Sequence, residues 1–336
     1  MTSMTAEPNA APGSGETQSS LPAQRIVSLL PSATEIVYAV GAGERVVGVT
    51  FECDEPAQAR SAASIVSTSS LPEAIDGRPP TPAQIDVAVR AKLAAGEDLY
   101  HLDRSALAGL DADLVITQDL CAVCAVDVSE VHDALNYLGC TAQVVTTDPH
   151  TLDEVLASIT QIGDACGCST PAAALVDSLQ ARLAALPGAP GAPGAPGASA
   201  ARVAILEWTD PPFAPGHWVP EMVTRAGGHS VLGTAGARSV PATWDVVAAR
   251  QPDIVVVAPC GFDLATSTTL TAELLDGGPL SHLLSAAPDT QLWAVDANAS
   301  YARPGPRLVD GVEALAAIID PARHGIPDPS LAHRLR

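Results

Sequence analysis

Four cysteines and one histidine stand where apolar runs give way to loops: Cys53, Cys121, Cys124, Cys260 and His217. Thiolate and imidazole are the donors zinc takes at tetrahedral sites, so this set could hold a soft metal. Strong zinc signals pair two C-x-x-C elements at short range, whereas Cys121-Ala-Val-Cys124 stands alone. A redox use is weaker still. Several residues separate the pair from the next helix, whose N-terminus would lower a thiol pKa. The third reading is small, half-buried thiols lining a pocket. His217, in Pro-Gly-His-Trp, could coordinate or hydrogen-bond a ligand, or be a loop histidine held by backbone. Arg303 sits among Pro and Gly where it could reach amide or phosphate oxygens, while Arg307 enters the final helix. Glu52, Asp54 and Glu55 read as solvated loop acids. No catalytic set is visible: there is no G-x-S-x-G elbow, and no G-x-G-x-x-G opens the chain.

Aromatic side chains are scarce, eleven in all (four Trp, four Tyr, three Phe). Six of them, Phe51, Trp208, Phe213, Trp218, Phe262 and Tyr301, fall in loops that follow apolar runs. A core normally claims large apolar residues first. Rings displaced to loops suit a broad, flat, partly apolar ligand, or else they cap sheet edges.

The elements that must position these residues alternate. Ile26 to Leu30 reads as a strand, Ser32-Ala-Thr-Glu35 as an S-x-x-E capping box opening a helix, and Val46 to Val49 as a second strand. That is one βαβ unit in about 30 residues. Ligands of open parallel sheets bind beyond the carboxyl ends of the strands, which places Pro31, Ser32, Phe51, Glu52 and Cys53 at one mouth. Glu55 to Pro82 reads as irregular, and helices are predicted from Thr81 to about Ala95, Leu102 to Leu110, Ser129 to Leu138, and Thr151 to about Cys166. Asp113 to Thr117 and Gln143 to Thr147 read as strands. After the Gly-Ala-Pro run of residues 187–200, strand patterns return at Arg202 to Glu207, Pro252 to Ala258 and Gln291 to Val295. Alternating strands and helices on both sides of the run predict an α/β protein of two Rossmann-like lobes with parallel sheets. A cleft between two lobes is where binding sites prefer to lie. The expected boundaries are a disordered tail at 1–24, an N-terminal lobe at 25–169, a helix at 170–186, the linker at 187–200, a C-terminal lobe at 201–321 and a loose tail at 322–336.

Composition narrows the partners. The formal net charge is −21 and Lys92 is the only lysine, which argues against nucleic acid, whose phosphates demand cations, and against an anionic membrane surface. Acidity of this kind keeps a protein soluble. The first 24 residues lack the positive start and apolar run of a secretory signal, and no stretch reaches the apolar length of a membrane span. A cytoplasmic location is expected from the sequence as written, with a periplasmic or cell-surface one only if the start site lies elsewhere. Seven cysteines, an odd number, are then thiols, metal ligands or core residues.

RIVSLLPSATEIVYAVGAG, DLVIT, WTDPPFAPGHW and SYARPGPRLVDG together resemble the cobalamin-binding proteins in the iron-siderophore and cobalamin substrate-binding group of ABC importers. The resemblance implies two lobes joined by one long bridging helix, matched by Pro171 to Leu186, with a flat tetrapyrrole-like ligand between them. It implicates Pro31, Ser32, the Phe51 to Cys53 loop, Trp208, Phe213, His217, Trp218, Tyr301 and Arg303. With Cys121, Cys124, Cys260 and Phe262 these form the expected ligand site of a monomeric, non-enzymatic corrinoid binder without a catalytic cofactor, partnered by an ABC permease if it serves import. Two further readings share the fold: a metal or metal-chelate (haem or siderophore) binder using Cys53, Cys121, Cys124, His217 and Cys260, and a corrinoid-processing enzyme.

Overall fold

The computed structural model describes residues 22–72, 74–118, 131, 133–136, 141–187 and 200–336. Two five-stranded sheets organise it. The first has the order β3-β2-β1-β6-β7, built from β1 (Ile26–Ser28), β2 (Val46–Val49), β3 (Ser64–Ile65), β6 (Leu114–Gln118) and β7 (Gln143–Thr147), all parallel. A separate antiparallel pair, β4 (Ser67–Ser69) and β5 (Tyr100–Leu102), brackets residues 70–99. The second large sheet has the order β11-β8-β13-β14-β15, from β8 (Arg202–Leu206), β11 (His229–Ser230), β13 (Ile254–Val257), β14 (Gln291–Val295) and β15 (Ala332–Arg334). Its first four strands are parallel and β15 runs antiparallel to β14.

Alternation along the strands assigns their faces. In β8, Val203 and Ile205 join the large central core, while Ala204 and Leu206 face a smaller outer one. In β13, Ile254 and Val256 point inward, and Val255 and Val257 outward. Period-two side chains on a sheet covered on both faces require this continuous apolar run. The central core is shared by both lobes. Ile36, Ile159 and Ile162 reach it from the first lobe, Met222, Val223 and Leu315 from the second, and Leu179 and Leu183 from the helix between them. Each such side chain stabilises the fold by about 1.5–3 kcal/mol. That helix, Ser169–Ala184, lies between the two sheets in sequence. Its Arg182 binds Glu313 (Nε–Oε1 2.9 Å) and Asp310 (Nη2–Oδ1 2.5 Å) on the helix Leu308–Ile319 of the second lobe.

Several expectations change. The stretch Glu55 to Pro82 is not irregular throughout, since it carries a short helix (Ala59–Ala62), β3 and β4, and Leu102 ends β5 ahead of a helix over Arg104–Leu107 only. Ser32 and Glu35 make no capping box: the helix Pro31–Ala39 begins with Pro31 after an extended Leu30, so Ser32 already lies inside the helix and no side chain caps it, and Glu35 turns to a distant arginine described below. The segment after Trp208 is not simply a loop. It folds into β9 (Trp208–Thr209) and β10 (Pro212–Ala214), joined by β12 (Val240–Pro241) in a three-stranded antiparallel sheet. The tail expected to be loose supplies edge strand β15, with Arg334 opposite Trp293 and its guanidinium 5.8 Å from the indole centroid. Charged residues suit a strand with one unpaired edge. The helix expected over Ser129 to Leu138 lies largely outside the described residues, as does most of the Gly-Ala-Pro linker. Among the described residues, no helix is long and apolar enough to cross a membrane.

Candidate functional site

The carboxyl ends of both sheets face each other, and polar side chains cross between them. From the first lobe, β1 runs into the helix Pro31–Ala39, β2 into Thr50–Asp54, and β7 into Asp148–His150. From the second, β8 runs into the Trp208 hairpin, β13 into Pro259–Phe262, and β14 into Asp296 and the loop through Arg307. Arg303 grips Asp54 through both terminal nitrogens and donates to the Glu52 carbonyl at 3.2 Å. Asn298 donates to the same Asp54 carboxylate at 3.2 Å. Arg307, at the N-cap of the last long helix, donates Nε to Glu35 Oε2 at 2.9 Å. The Glu221 carboxylate of the second lobe accepts from the Leu152 amide of the first at 3.0 Å.

Electrostatics follow from these contacts. Asp54 sits below the usual carboxylate range, because the hydrogen-bonded Arg303 guanidinium outweighs its desolvation. Burial pushes Glu35 up, only partly opposed by Arg307, and its Oε1 is buried without a hydrogen-bond partner among the described residues. Burial also raises Glu52, whose Oε1 accepts from the Tyr100 hydroxyl at 3.3 Å. Glu52 and Asp54 are therefore bound groups rather than solvated loop acids. At the end of β8, burial raises Glu207 to about 7, although the Ser239 hydroxyl and Gly216 amide donate to it.

Two aromatic platforms flank the clamp, one per lobe. Phe51 packs on Tyr100 with ring centroids 5.9 Å apart, and Trp208 on Phe262 at 5.7 Å. All four rings are partly exposed. Phe213 lies directly opposite Trp208 in the β9–β10 ladder, so the two share a face. To one side, His217 meets His150 of the first lobe at 5.5 Å between rings. His217 is fixed by backbone: its amide donates to the Ala237 carbonyl at 2.6 Å, its carbonyl accepts from Gly236 at 2.9 Å, and its φ is +50°. A side chain at Gly216 would lie 2.3 Å from the Ser239 nitrogen, so glycine permits this close approach. Burial and the His150 and Arg238 charges hold His217 below its usual pKa, and its Nε2 has no hydrogen-bond partner among the described residues.

The expected site residues divide. Phe51, Glu52, Trp208, Phe213, His217 and Phe262 come together, partly exposed, at the strand ends, with Pro31 half-buried and Cys260 exposed beside them. Five others are buried. Trp218 and Tyr301 belong to the central core, where the indole N–H donates to the Tyr301 carbonyl at 2.8 Å. Cys53 is fully buried, its sulfur held by Thr34 (3.0 Å) and Thr50 (3.1 Å). Ser32 lies under the Gly305 turn, and Arg303 is committed to Asp54. Cys121 and Cys124 lie outside the described residues. Among the described residues, no group of three His, Cys, Asp or Glu side chains is placed to hold a metal ion. Glu35, Tyr100, His150, Glu207 and Asn298 join the site as well. For His150, Glu207 and Asn298 the one sequence signal is position just past a strand's carboxyl end, whereas Glu35 lies within the helix Pro31–Ala39 and Tyr100 opens β5, so neither carries that signal.

No protein-family model matches the sequence, and no curated protein does. Solved structures do. The apo form of the periplasmic heme-binding protein RhuT from Roseiflexus sp. RS-1 aligns over 89% of this chain and 99% of its own, with 23% identity and a TM-score of 0.60. The periplasmic vitamin B12 binding protein BtuF of Vibrio cholerae aligns over 90% and 98%, with 20% identity and a TM-score of 0.54. An ABC-type Fe3+-hydroxamate transport system structure from Saccharomonospora viridis aligns over 88% and 92%, with 18% identity and a TM-score of 0.55. The chain thus has the two-lobed periplasmic-binding-protein fold.

Proposed function

We propose that this chain is a non-enzymatic binding protein that holds a corrinoid between its lobes, as the substrate-binding component of an ABC importer or a cytoplasmic derivative of one. The aromatic platforms Phe51–Tyr100 and Trp208–Phe262 carry this reading. They offer flat apolar faces from opposite lobes, beside a polar clamp whose amide, carboxylate and guanidinium groups suit the amide-fringed edge of a corrin. The solved structures of the same fold named for vitamin B12 and heme support a broad macrocycle as the ligand class. Titrating purified protein with cyanocobalamin should shift the corrin absorption bands with one-to-one stoichiometry, and an unchanged spectrum would count against the assignment.

One observation favours haem or another metal chelate as a second reading. The Nε2 of His217 has no partner among the described residues, and burial favours the neutral imidazole, which can donate to a metal centre. A haem titration run in parallel separates the two ligands by their spectra.

A further inference from the structure

The helix Pro82–Ala95 is built unlike its counterparts. It has 14 residues, none of them buried, whereas the helix Leu152–Ala165, also of 14 residues, buries seven. Val87 and Leu93 on it are 67% and 42% exposed. Yet its local construction is complete. Thr81 and Gln84 form a reciprocal capping box, Pro82 occupies the first turn, and Gly96 closes the other end at φ +69°. Its ion pairs are local too, Arg90 with Asp86 and Lys92 with Glu97. A helix that satisfies its own ends and buries no residue fully, with Ile85, Ala88 and Val89 only partly covered, can move as a unit at little cost to the core.

Its placement gives that motion a consequence. The helix rises between β4 and β5 of the first lobe, and it touches β9, the strand of Trp208, in the second. Its return strand begins at Tyr100, which packs on Phe51 and donates to Glu52. At its foot, Ile75 and Arg78 close a tight two-way backbone turn, and a cavity of about 360 Å³ is lined by Ile75, Asp76, Arg78, Pro79, Thr81 and Gln84. The element therefore links the two platforms, leading into Tyr100 at one end and lying beside the strand of Trp208. We propose that the helix Pro82–Ala95 is a lid, carried by the first lobe and resting on the second, that must lift from Trp208 for a planar ligand to enter or leave. The inference rests on the binding reading above for its ligand, but not for its first readout.

The fold supplies the test. Ser69 pairs with Tyr100, and the Ser70 amide donates to the Leu99 carbonyl at 2.9 Å. Residues 71–98 can therefore be replaced by Asn-Gly, a two-residue turn that joins antiparallel strands. A second variant, Ala91→Gly with Ala94→Gly, keeps the full chain and weakens the helix at two exposed positions. Acrylamide quenching of Trp208, taken as the difference from a Trp208→Phe background, should roughly double in both variants once the lid is gone or loosened. Stopped-flow association and dissociation of cyanocobalamin should both accelerate, with a smaller change in Kd. Unchanged quenching in the variants that fold overturns the lid, whatever the ligand does. Increased quenching with unaltered ligand rates also overturns it, since the helix would cover the ring without controlling access. If quenching rises and the parent protein shows no response to cyanocobalamin, the corrinoid reading falls and haem becomes the probe for the same two rates, which must accelerate for the lid to stand. Should the excised protein fail to fold, the glycine variant decides alone.

Discussion

Arg303 and Asp54 are 249 residues apart in sequence and meet between the lobes as a two-pronged ion pair, with the second prong (Nη2–Oδ2) at 3.2 Å. The arginine side chain is 10% exposed and the aspartate 37%, so solvent screens only one partner. Arg303→Ala should lower unfolding free energy by about 1–3 kcal/mol, less than a fully buried pair would lose. Arg303→Lys should recover under half of that, since an ammonium cannot match the fork. Urea unfolding checks both. Asp54, held below its unfolded pKa, stabilises the fold above that value and loses this contribution as pH falls through its folded one.

Glu35 depends on Arg307 in a different way. Its carboxyl is buried, raised in pKa, and bound through one oxygen only. Arg307→Ala should cost about 2–4 kcal/mol near neutral pH by leaving a buried charge unpaired. The deficit should shrink as pH falls toward the unfolded glutamate pKa, because the carboxyl can then take a proton. Adding Glu35→Gln to Arg307→Ala should restore most of the neutral-pH loss. Thermal melts of the parent and the variants across pH 4–8 (chosen to span the glutamate titration, about 4.3 when unperturbed) would show this coupling, and additive losses would contradict it.

Glu207 gives a pH signature of the opposite sense to Asp54. Burial pushes its folded pKa up to about 7 from an ordinary value of 4.5. The folded state therefore binds more protons in that window, and stability falls as pH rises through it, by up to about 3 kcal/mol. Glu207→Gln keeps the side chain's shape and its acceptor toward Ser239 or Gly216. Relative to the parent, this variant should gain stability from pH 5 to 8 (about the window between the two pKa values). A flat difference would place the carboxyl in a wetter setting.

Much of this was legible in the chain. Apolar runs ending at Pro31, Thr50, Glu207 and Pro259 marked the strand ends, and the helix expected from Thr151 does start there, where the structure adds a capping box with Glu154. The S-x-x-E at Ser32 has the same letters and another use, because Arg307, 272 residues away, takes the glutamate. Trp218 and Tyr301 looked like cleft rings. Spacing along the chain could not reveal that the indole N–H of one finds the carbonyl of the other inside the core. The closing strand β15 escaped notice because its stability comes from backbone pairing to β14, and a polar edge strand carries little hydrophobic pattern.

The aromatic platforms should matter for binding more than for folding. Trp208→Ala and Phe262→Ala should each weaken cyanocobalamin binding by about 1–3 kcal/mol, by analogy with rings that stack on bases. Their unfolding midpoints should change little, since both rings are partly exposed. Phe213→Ala, on the strand opposite Trp208, should weaken binding in the same direction. Losses confined to stability would make these rings structural.

Isothermal titration of the full-length protein with cyanocobalamin and with dicyanocobinamide tests the ligand assignment most directly. Corrinoid binding in the cleft predicts a saturable, one-to-one heat with at least one of them at protein concentrations of tens of micromolar, abolished or strongly weakened in Trp208→Ala/Phe262→Ala. No heat with either corrinoid, or heat indifferent to the loss of both rings, would contradict it.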